Sequence, residues 1–394
     1  MFIDLSLAQL TGRVWGRTMA NSIETFFLRD VHHGGTAGQL ASTAEHLARF
    51  VGAATRSVDL AIYDFRLSDS GASNTVVGAL RDAVGRGVTV RIGYDAGKPT
   101  SATADEFAVL QADPAPIGTG EWVTEHFTGT GVQVKPITAG GQLMHSKYVV
   151  RDAPVNGATA TDGSGAAVWT GSTNFTDDAW TLQENNVITI PGSAVASPYR
   201  RDFDQLWASG TITGSGQGDV GEVAAGDGSV GWDFCPGDGA AVNAALAARV
   251  SAATERLVVA AMVLTSHEVL TALGQAIDRG VPLTGVYDGG QMDPIVRRWS
   301  QNPSDAALLD TWRKVSQHLV VKPSTPYTPT GPHDFMHLKV LLSDGVLTTG
   351  SYNFSANAER NAENQIYLTD STTVTAYLDY LNTVIQAYRS PTSS

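Results

Sequence analysis

The sequence has little cysteine, no long apolar run and no basic N-terminal start. Cys235 is the only cysteine in 394 residues, so the chain forms no intrachain disulfide and no cysteine-cluster metal site. No stretch approaches the roughly 18 consecutive apolar residues of a membrane-spanning helix. The first residues carry Asp4 where a signal peptide would carry a base. We therefore expect a soluble, cytoplasmic protein.

Charge is also scarce, and the charge present is mostly negative. Charged residues make up 16% of the chain and the net charge is −13, which argues against a polyanion such as nucleic acid as the first choice of partner. The 41 glycines are scattered without a collagen-like period, and apolar residues reach 42%, so the composition indicates a folded protein with a real core. The length predicts two domains or one large one.

The chain contains an internal repeat. Residues 85–95 resemble residues 278–288, and each segment follows a helical stretch that itself follows a β-branched run, Ser57–Phe65 or Arg256–Thr265. Strand, helix and strand in this order predict a right-handed parallel crossover in each half.

Three further motifs occur in the same order in both halves. In the first half they are Met144–Asp152, Gly171–Phe175 and the pair Glu184-Asn185. In the second half they are Met336–Asp344, Gly350–Phe354 and the pair Glu363-Asn364. Each glutamate follows the asparagine of its Gly-Ser-x-Asn motif by ten residues. A repeat of this length indicates duplicated lobes.

We interpret the chain as an α/β protein with two similar lobes. The first lobe spans residues 25–207 and the second spans residues 240–390. Between them, residues 208–239 are dense in glycine, which predicts an exposed, mobile connector.

The first motif places a histidine beside a lysine. The residues after His145 and Lys147 favour a strand, and residues two apart on a strand point to the same face. His337 and Lys339 have the same spacing. The chain has only six lysines, and two of them stand beside these histidines, where a compact ammonium suits a phosphate oxygen.

The aspartates Asp152 and Asp344 follow the motif histidines by seven residues, on the other face or in the turn that ends the strand. That position favours an anchoring role over direct chemistry. We expect a structural role as well for the paired motif residues Gly171, Ser172, Gly350 and Ser351.

Phosphodiester cleavage needs a nucleophile and a proton donor, and two histidines can supply both because their pKa lies near neutrality. We expect the two lysines, with Asn174 and Asn353, to hold the non-bridging oxygens. Glu184 and Glu363 would each accept from a histidine ring nitrogen, although surface positions are the alternative. No metal-ligand cluster is apparent, so we expect no cofactor.

The doubled His-x-Lys-x4-Asp motif with Gly-Ser-x-Asn resembles the phospholipase D superfamily from about residue 40 to residue 390. The resemblance implies two αβα lobes related by pseudo-twofold symmetry, one shared active site and a covalent phosphohistidine intermediate. It also implies that His145 is the nucleophile and His337 the general acid, and it supports the orienting role of the glutamates.

Substrate class is less defined than chemistry. Long insertions follow Asp95 and Asp288, and we predict that four of their aromatic residues form an apolar rim around the site. The alternative is that these residues pack onto their own lobe. They are Phe107, Trp122, Trp299 and Tyr327. A phospholipid is the favoured substrate, with water or an alcohol as acceptor. A nuclease or small-molecule phosphodiesterase and an inactive phosphate-binding scaffold are the alternatives. We expect a monomer without a stable nucleic-acid partner.

Overall fold

A computed structural model of the chain describes residues 22–97, 116–154, 165–217, 220–328 and 331–389. Two large mixed sheets contribute to one shared core, and helices pack on both faces of each sheet. This arrangement confirms the predicted α/β fold with two similar lobes. No helix in the described part of the chain has the length and apolar composition needed to cross a bilayer.

The first sheet has seven strands in the spatial order β1-β9-β7-β6-β2-β4-β5. These strands are β1 (Glu24–Leu28), β2 (Ser57–Ile62), β4 (Thr89–Asp95), β5 (Gln133–Ile137), β6 (Lys147–Arg151), β7 (Ala167–Gly171) and β9 (Asn185–Pro191). The short strands β3 (Phe65–Arg66) and β8 (Phe175–Thr176) pair with each other beside it. The parallel pairing of β2 with β4 confirms the predicted crossover.

The second sheet repeats this order and adds one strand, giving β10-β11-β17-β16-β15-β12-β13-β14. Its strands are β10 (Gly221–Ala225), β11 (Gly228–Cys235), β12 (Leu257–Ala261), β13 (Leu283–Asp288), β14 (Val320–Lys322), β15 (Lys339–Ser343), β16 (Val346–Gly350) and β17 (Glu363–Leu368). The second crossover is confirmed by the parallel pairing of β12 with β13.

Ten helices are described. They are α1 (Gln39–Gly52), α2 (Ser70–Gly85), α3 (Thr119–Phe127), α4 (Asp177–Thr181), α5 (Ser193–Ser209), α6 (Gly239–Ala252), α7 (His267–Asp278), α8 (Gly289–Gln301), α9 (Ala306–Ser316) and α10 (Ser371–Arg389). The crossover helices α2 and α7 begin alike, because Asp69 and Ser266 accept a hydrogen bond from the backbone three residues on. Helices α5 and α10 contribute to the core that the two sheets share.

The glycine-rich segment is not an exposed connector along its whole length. Residues 221–235 form β10 and β11, and β11 pairs antiparallel with β17. Val230, Trp232 and Phe234 alternate along β11 and are buried, a period-2 signal that the glycines obscured. Packing explains the glycine at position 231, because a Cβ there would lie 2.0 Å from the ring of Tyr367.

A buried ionic cluster ties the two lobes together. Lys322, at the end of β14, is fully buried, and its Nζ lies 2.6 Å from Glu184 Oε2 and 3.1 Å from Asp30 Oδ2. It also donates to the Leu182 carbonyl at 2.9 Å. The Tyr388 hydroxyl of α10 donates to the other oxygen of Glu184. The cluster therefore joins both ends of the described chain to the lobe interface.

Loss of this lysine should destabilise the fold. Lys322→Met removes the cation from two buried carboxylates, and we expect the free energy of unfolding to fall by about 3–5 kcal/mol. Urea denaturation measures it. The matched control is Lys314→Met, which removes an exposed pair with Asp278 and should cost less than about 1 kcal/mol. Equal losses in the two variants would contradict the prediction.

Candidate active site

Each histidine motif is positioned by the opposite lobe. His145 lies just before β6, and its backbone N–H donates to the Ala362 carbonyl at 2.8 Å. His337 lies just before β15, and its N–H donates to the Glu184 carbonyl at 3.2 Å. The two motifs therefore meet at the lobe interface, where the segment just before each motif strand forms an isolated β-bridge with the other lobe.

Both histidines line one cavity of about 610 Å³. Asn174 and Asn353 line it too, and the side-chain oxygen of each is buried without a hydrogen-bond partner among the described residues. An anion cannot accept from these oxygens, so the amide nitrogens are the groups that could hold a phosphate. The structure thus brings four of the predicted catalytic residues to one cavity.

The motif lysines lie behind the histidines. Lys147 is fully buried and its Nζ donates to the His145 carbonyl at 2.7 Å. Lys339 donates to the His337 carbonyl at 2.6 Å in the same way. The Tyr63 ring packs at the side of this pair, 4.9 Å from the His145 ring and 4.9 Å from Lys147 Nζ. Tyr63 was not predicted as a site residue, because its counterpart in the second half is Met262 and the motif is therefore not repeated.

His145 is held by a carboxylate of the other lobe. Its Nδ1 lies 2.8 Å from Glu363 Oε2, which also accepts from the Ser351 hydroxyl at 2.6 Å. The second oxygen of Glu363 accepts from Asn361 Nδ2 at 3.1 Å. The fully satisfied carboxylate keeps a proton on Nδ1 and leaves the lone pair of His145 on Nε2.

His337 is held by an amide instead. Its Nδ1 lies 3.0 Å from Asn185 Oδ1, which accepts from the Ser172 hydroxyl at 2.7 Å. The Asn185 amide nitrogen donates to the Ala179 carbonyl and to Gln183, each at 3.0 Å, so its oxygen must face the ring. The prediction that Glu184 accepts from a histidine ring is therefore wrong, since its carboxylate binds Lys322.

A one-residue offset between the lobes explains this error. Ala362 and Glu184 occupy equivalent positions, because each carbonyl receives a motif histidine N–H. Asn185 is therefore the counterpart of Glu363. Because side chains alternate along a strand, a shift of one residue turns Glu184 to the opposite face from Glu363. In the sequence both glutamates follow their motif asparagines by ten residues. This equal spacing hid the fact that the first-lobe loop, which contains α4, is longer.

Burial dominates the electrostatics of the site. It lowers the pKa of His145 to about 4, although Glu363 opposes the shift, and it lowers the pKa of Lys147 to about 7. Burial and the Lys339, Lys147 and His145 charges hold the pKa of His337 well below its usual value. Burial and Lys147 likewise lower the pKa of Lys339. A bound anion would offset this mutual repulsion between cations.

The Gly-Ser motifs shape the floor of the site. Gly171 and Gly350 have φ angles of 151° and 148°, and a Cβ would lie 2.0 Å from the Asn186 carbonyl oxygen or 2.3 Å from that of Asn364. Only glycine permits this approach. The following serines donate to Asn185 and Glu363, as described above.

The motif aspartates anchor the ends of β6 and β15. Asp152 and Asp344 adopt left-handed backbone conformations, with φ of 52° and 51°. The Asp152 carboxylate accepts from the backbone N–H groups of residues 55–57, and Asp344 accepts from those of residues 254–256. Neither lines the cavity.

Two further carboxylates position the motifs and were treated only as strand ends in the sequence. Asp95, at the end of β4, accepts from the Met144 N–H at 2.7 Å. Asp288, at the end of β13, accepts from the Met336 N–H at 2.7 Å. Burial raises the pKa of Asp288 to about 6. The pair Tyr-Asp occurs at the equivalent position of both halves, and this repeat was the sequence signal that could have identified the two aspartates.

Of the three predicted rim residues that the structure describes, only Tyr327 lines the cavity. Trp122 packs on its own lobe, stacks on His126 at 4.0 Å and donates to the Leu67 carbonyl. Trp299 is buried in the second-lobe core, because it lies on the inner face of α8. The rim prediction is therefore wrong for both tryptophans, and Phe107 lies outside the described residues. No group of three or more metal-ligating side chains occurs in the described part of the chain.

Comparison with known proteins agrees with this geometry. The family model described as cardiolipin synthase, PLD-like domain (PLD, phospholipase D) matches residues 47–207 and 246–385. No curated protein matches the sequence. Phosphatidylserine synthase from Haemophilus influenzae Rd KW20 has a similar structure, with a TM-score of 0.60 and 12% identity over 92% of this chain and 86% of that one.

Polyphosphate kinase from Porphyromonas gingivalis is also similar, with a TM-score of 0.54 and 12% identity over 92% of this chain and 50% of that one. At this identity the two structures support the shared fold alone. The family model covers most of the chain and both lobes, each of which carries a complete histidine motif. The chain therefore belongs to the phospholipase D-like family.

Proposed function

We propose that this protein cleaves or transfers the phosphodiester bond of a phospholipid through a covalent phosphohistidine. The observation that carries the proposal is the pair of motif histidines in one cavity, each held at Nδ1 by an acceptor from the opposite lobe. The hydrogen bond at Nδ1 orients each ring and leaves Nε2 as the reactive nitrogen. One Nε2 would attack phosphorus, and the other would protonate the leaving oxygen.

We assign His145 as the nucleophile. Its Nε2 would attack phosphorus while the bond to the leaving oxygen breaks, and His337 would give that oxygen its proton. The attack turns the neutral ring of His145 into a positively charged phosphoimidazolium. Glu363, at 2.8 Å from Nδ1, stabilises that charge, whereas Asn185 offers His337 no full negative charge.

The second half of the reaction reverses these roles. Water or an alcohol would attack phosphorus, give its proton to His337 and release His145 as the neutral ring. The products are a phosphomonoester with water or a new diester with an alcohol. In the ground state the phosphodiester anion would raise the pKa of His337 by offsetting the lysine charges, which makes a protonated acid available.

A phospholipid is the substrate class that these features favour. The family is described as cardiolipin synthase-like, and a similar structure is named as a phosphatidylserine synthase. The net charge of −13 opposes long-range attraction of a polyanion, whereas one diester group needs only one phosphate pocket.

A substrate panel tests the proposal directly. The protein is assayed with phosphatidylcholine or phosphatidylglycerol in mixed micelles, bis(p-nitrophenyl) phosphate, and single- and double-stranded DNA, with EDTA throughout. We expect phospholipid turnover to exceed duplex DNA cleavage by at least about tenfold at physiological salt. Added ethanol should divert part of the product to phosphatidylethanol. Efficient DNA cleavage without lipid turnover, or activity restored only by added metal, would refute the proposal.

Mutation of the two histidines should have different chemical consequences. His145→Ala and His337→Ala should each lower turnover by roughly 10³-fold or more. Because p-nitrophenolate leaves with little protonation, His337→Ala should still accumulate a phosphoryl adduct on His145, and His145→Ala should accumulate none. Intact-protein and peptide mass spectrometry measure the adducts. An adduct on His337 in the His145→Ala variant would reverse the two roles.

The partners of the histidines should set the pH dependence. In Asn185→Asp, a carboxylate replaces the amide 3.0 Å from His337 Nδ1, so the pKa of His337 rises. Because the general acid must be protonated, activity is lost as pH rises through its pKa, and we expect the alkaline limb of kcat/KM to move up by about one unit or more.

The matched variant is Glu363→Gln, which removes the carboxylate from His145. The pKa of His145 then falls, so the acidic limb should move to lower pH while the alkaline limb stays in place. Movement of the alkaline limb in Glu363→Gln, with none in Asn185→Asp, would assign the acid to His145 instead.

A further inference from the structure

The two lobes place equivalent segments on opposite sides of the cavity. Residues 63–66 follow β2 and residues 262–265 follow β12, and the registers match: Ile62 pairs with Lys147 as Ala261 pairs with Lys339. Phe65 then pairs with Phe175, and Leu264 with Phe354. By this register Asp64 corresponds to Val263 and Arg66 to Thr265.

The first-lobe segment is polar and internally paired. Asp64 is 7% exposed, and its two oxygens accept from Nε and Nη2 of Arg66, each at 2.7 Å. The Thr119 hydroxyl donates to the same carboxylate at 2.7 Å. Both members of the ion pair line the cavity, with Thr176 and Gln183 beside them. This side offers hydrogen-bond donors and acceptors with no net charge.

The second-lobe segment is apolar. Met262 and Val263 are half-buried and line the cavity. Helix α8 adds Pro294 and Ile295 to this side, together with the polar Gln291 and Arg298, and Phe335 adds an aromatic face. Met292 and Trp299 of the same helix point into the lobe core. The equivalent segments after β2 and β12 therefore differ in polarity, although the fold that builds them is duplicated.

We propose that this asymmetry selects an unsymmetrical phosphodiester and fixes its orientation. The apolar second-lobe segment, represented by Val263, binds a long alkyl or acylglycerol substituent, and the Asp64–Arg66 pair binds a small hydroxylated substituent. A polyol suits the pair because its hydroxyls both donate and accept hydrogen bonds without net charge. The reverse orientation would desolvate the ion pair against hydrocarbon. The inference rests on the proposed function and deepens it.

The test compares p-nitrophenyl dodecyl with p-nitrophenyl methyl phosphodiester, and glycerol with methanol as the acceptor alcohol, because the acceptor enters on the side that p-nitrophenolate leaves. Val263→Asp introduces the first-lobe residue on the apolar side, and we expect the dodecyl-to-methyl ratio of kcat/KM to fall roughly tenfold. Val263→Thr, nearly isosteric, should lower the ratio in the same direction by less. Val220→Asp is the matched control, since Val220 is 57% exposed and outside the cavity, and its ratio should equal that of the wild type.

The reciprocal variant carries Asp64→Val with Arg66→Thr, which introduces the second-lobe residues and removes both charges together. We expect the glycerol-to-methanol ratio of transfer products to fall roughly tenfold, because the hydroxyls of glycerol lose their partners. Thermal unfolding checks that each variant is folded. Unchanged ratios in the Val263 variants would overturn the inference while leaving the proposed function intact. Absence of turnover on every diester by the wild type would instead refute the proposed function.

Discussion

The active site depends on the exchange of contacts between the lobes at the start of β9 and β17. Each motif histidine belongs to one lobe, yet its backbone N–H and its Nδ1 are both bound by the other. Neither lobe alone can orient its own histidine. The shared core, the buried Lys322 cluster and the packing of α10 across both lobes maintain the register that these hydrogen bonds require.

Duplication gives the site symmetry, and a single residue breaks it. The first-lobe loop before β9 is one residue longer than its counterpart, so a carboxylate faces His145 and an amide faces His337. A carboxylate stabilises a developing imidazolium, and an amide only orients the ring. Two equivalent groups thus acquire different electrostatic environments, which is how paired acids and bases come to divide their roles. The cavity walls differ for a separate reason, which is substitution at equivalent positions such as Asp64 and Val263.

Much of the fold could be predicted because it is local or repeated. The β-branched runs Ser57–Phe65 and Arg256–Thr265 and the helices after them identified the crossovers, and the two motifs identified the lobes. The prediction failed where glycines hid the alternation of apolar side chains, as at Val230 and Trp232 of β11. It also failed where aromatic residues of an insertion were predicted to form the rim of the site. Trp299 turned inward because the insertion folded into a helix with an apolar inner face.

The sequence by itself determined which candidate groups the site contains: two His-x-Lys motifs with Gly-Ser-x-Asn identify them, since residue type and strand spacing are local properties of the chain. Tertiary structure decided which groups meet. Glu184 and Glu363 have the same spacing from their motif asparagines, but one binds Lys322 and the other binds His145. That choice depends on loop length and on the face of a strand in the opposite lobe, and contacts over such separations are not encoded in local patterns.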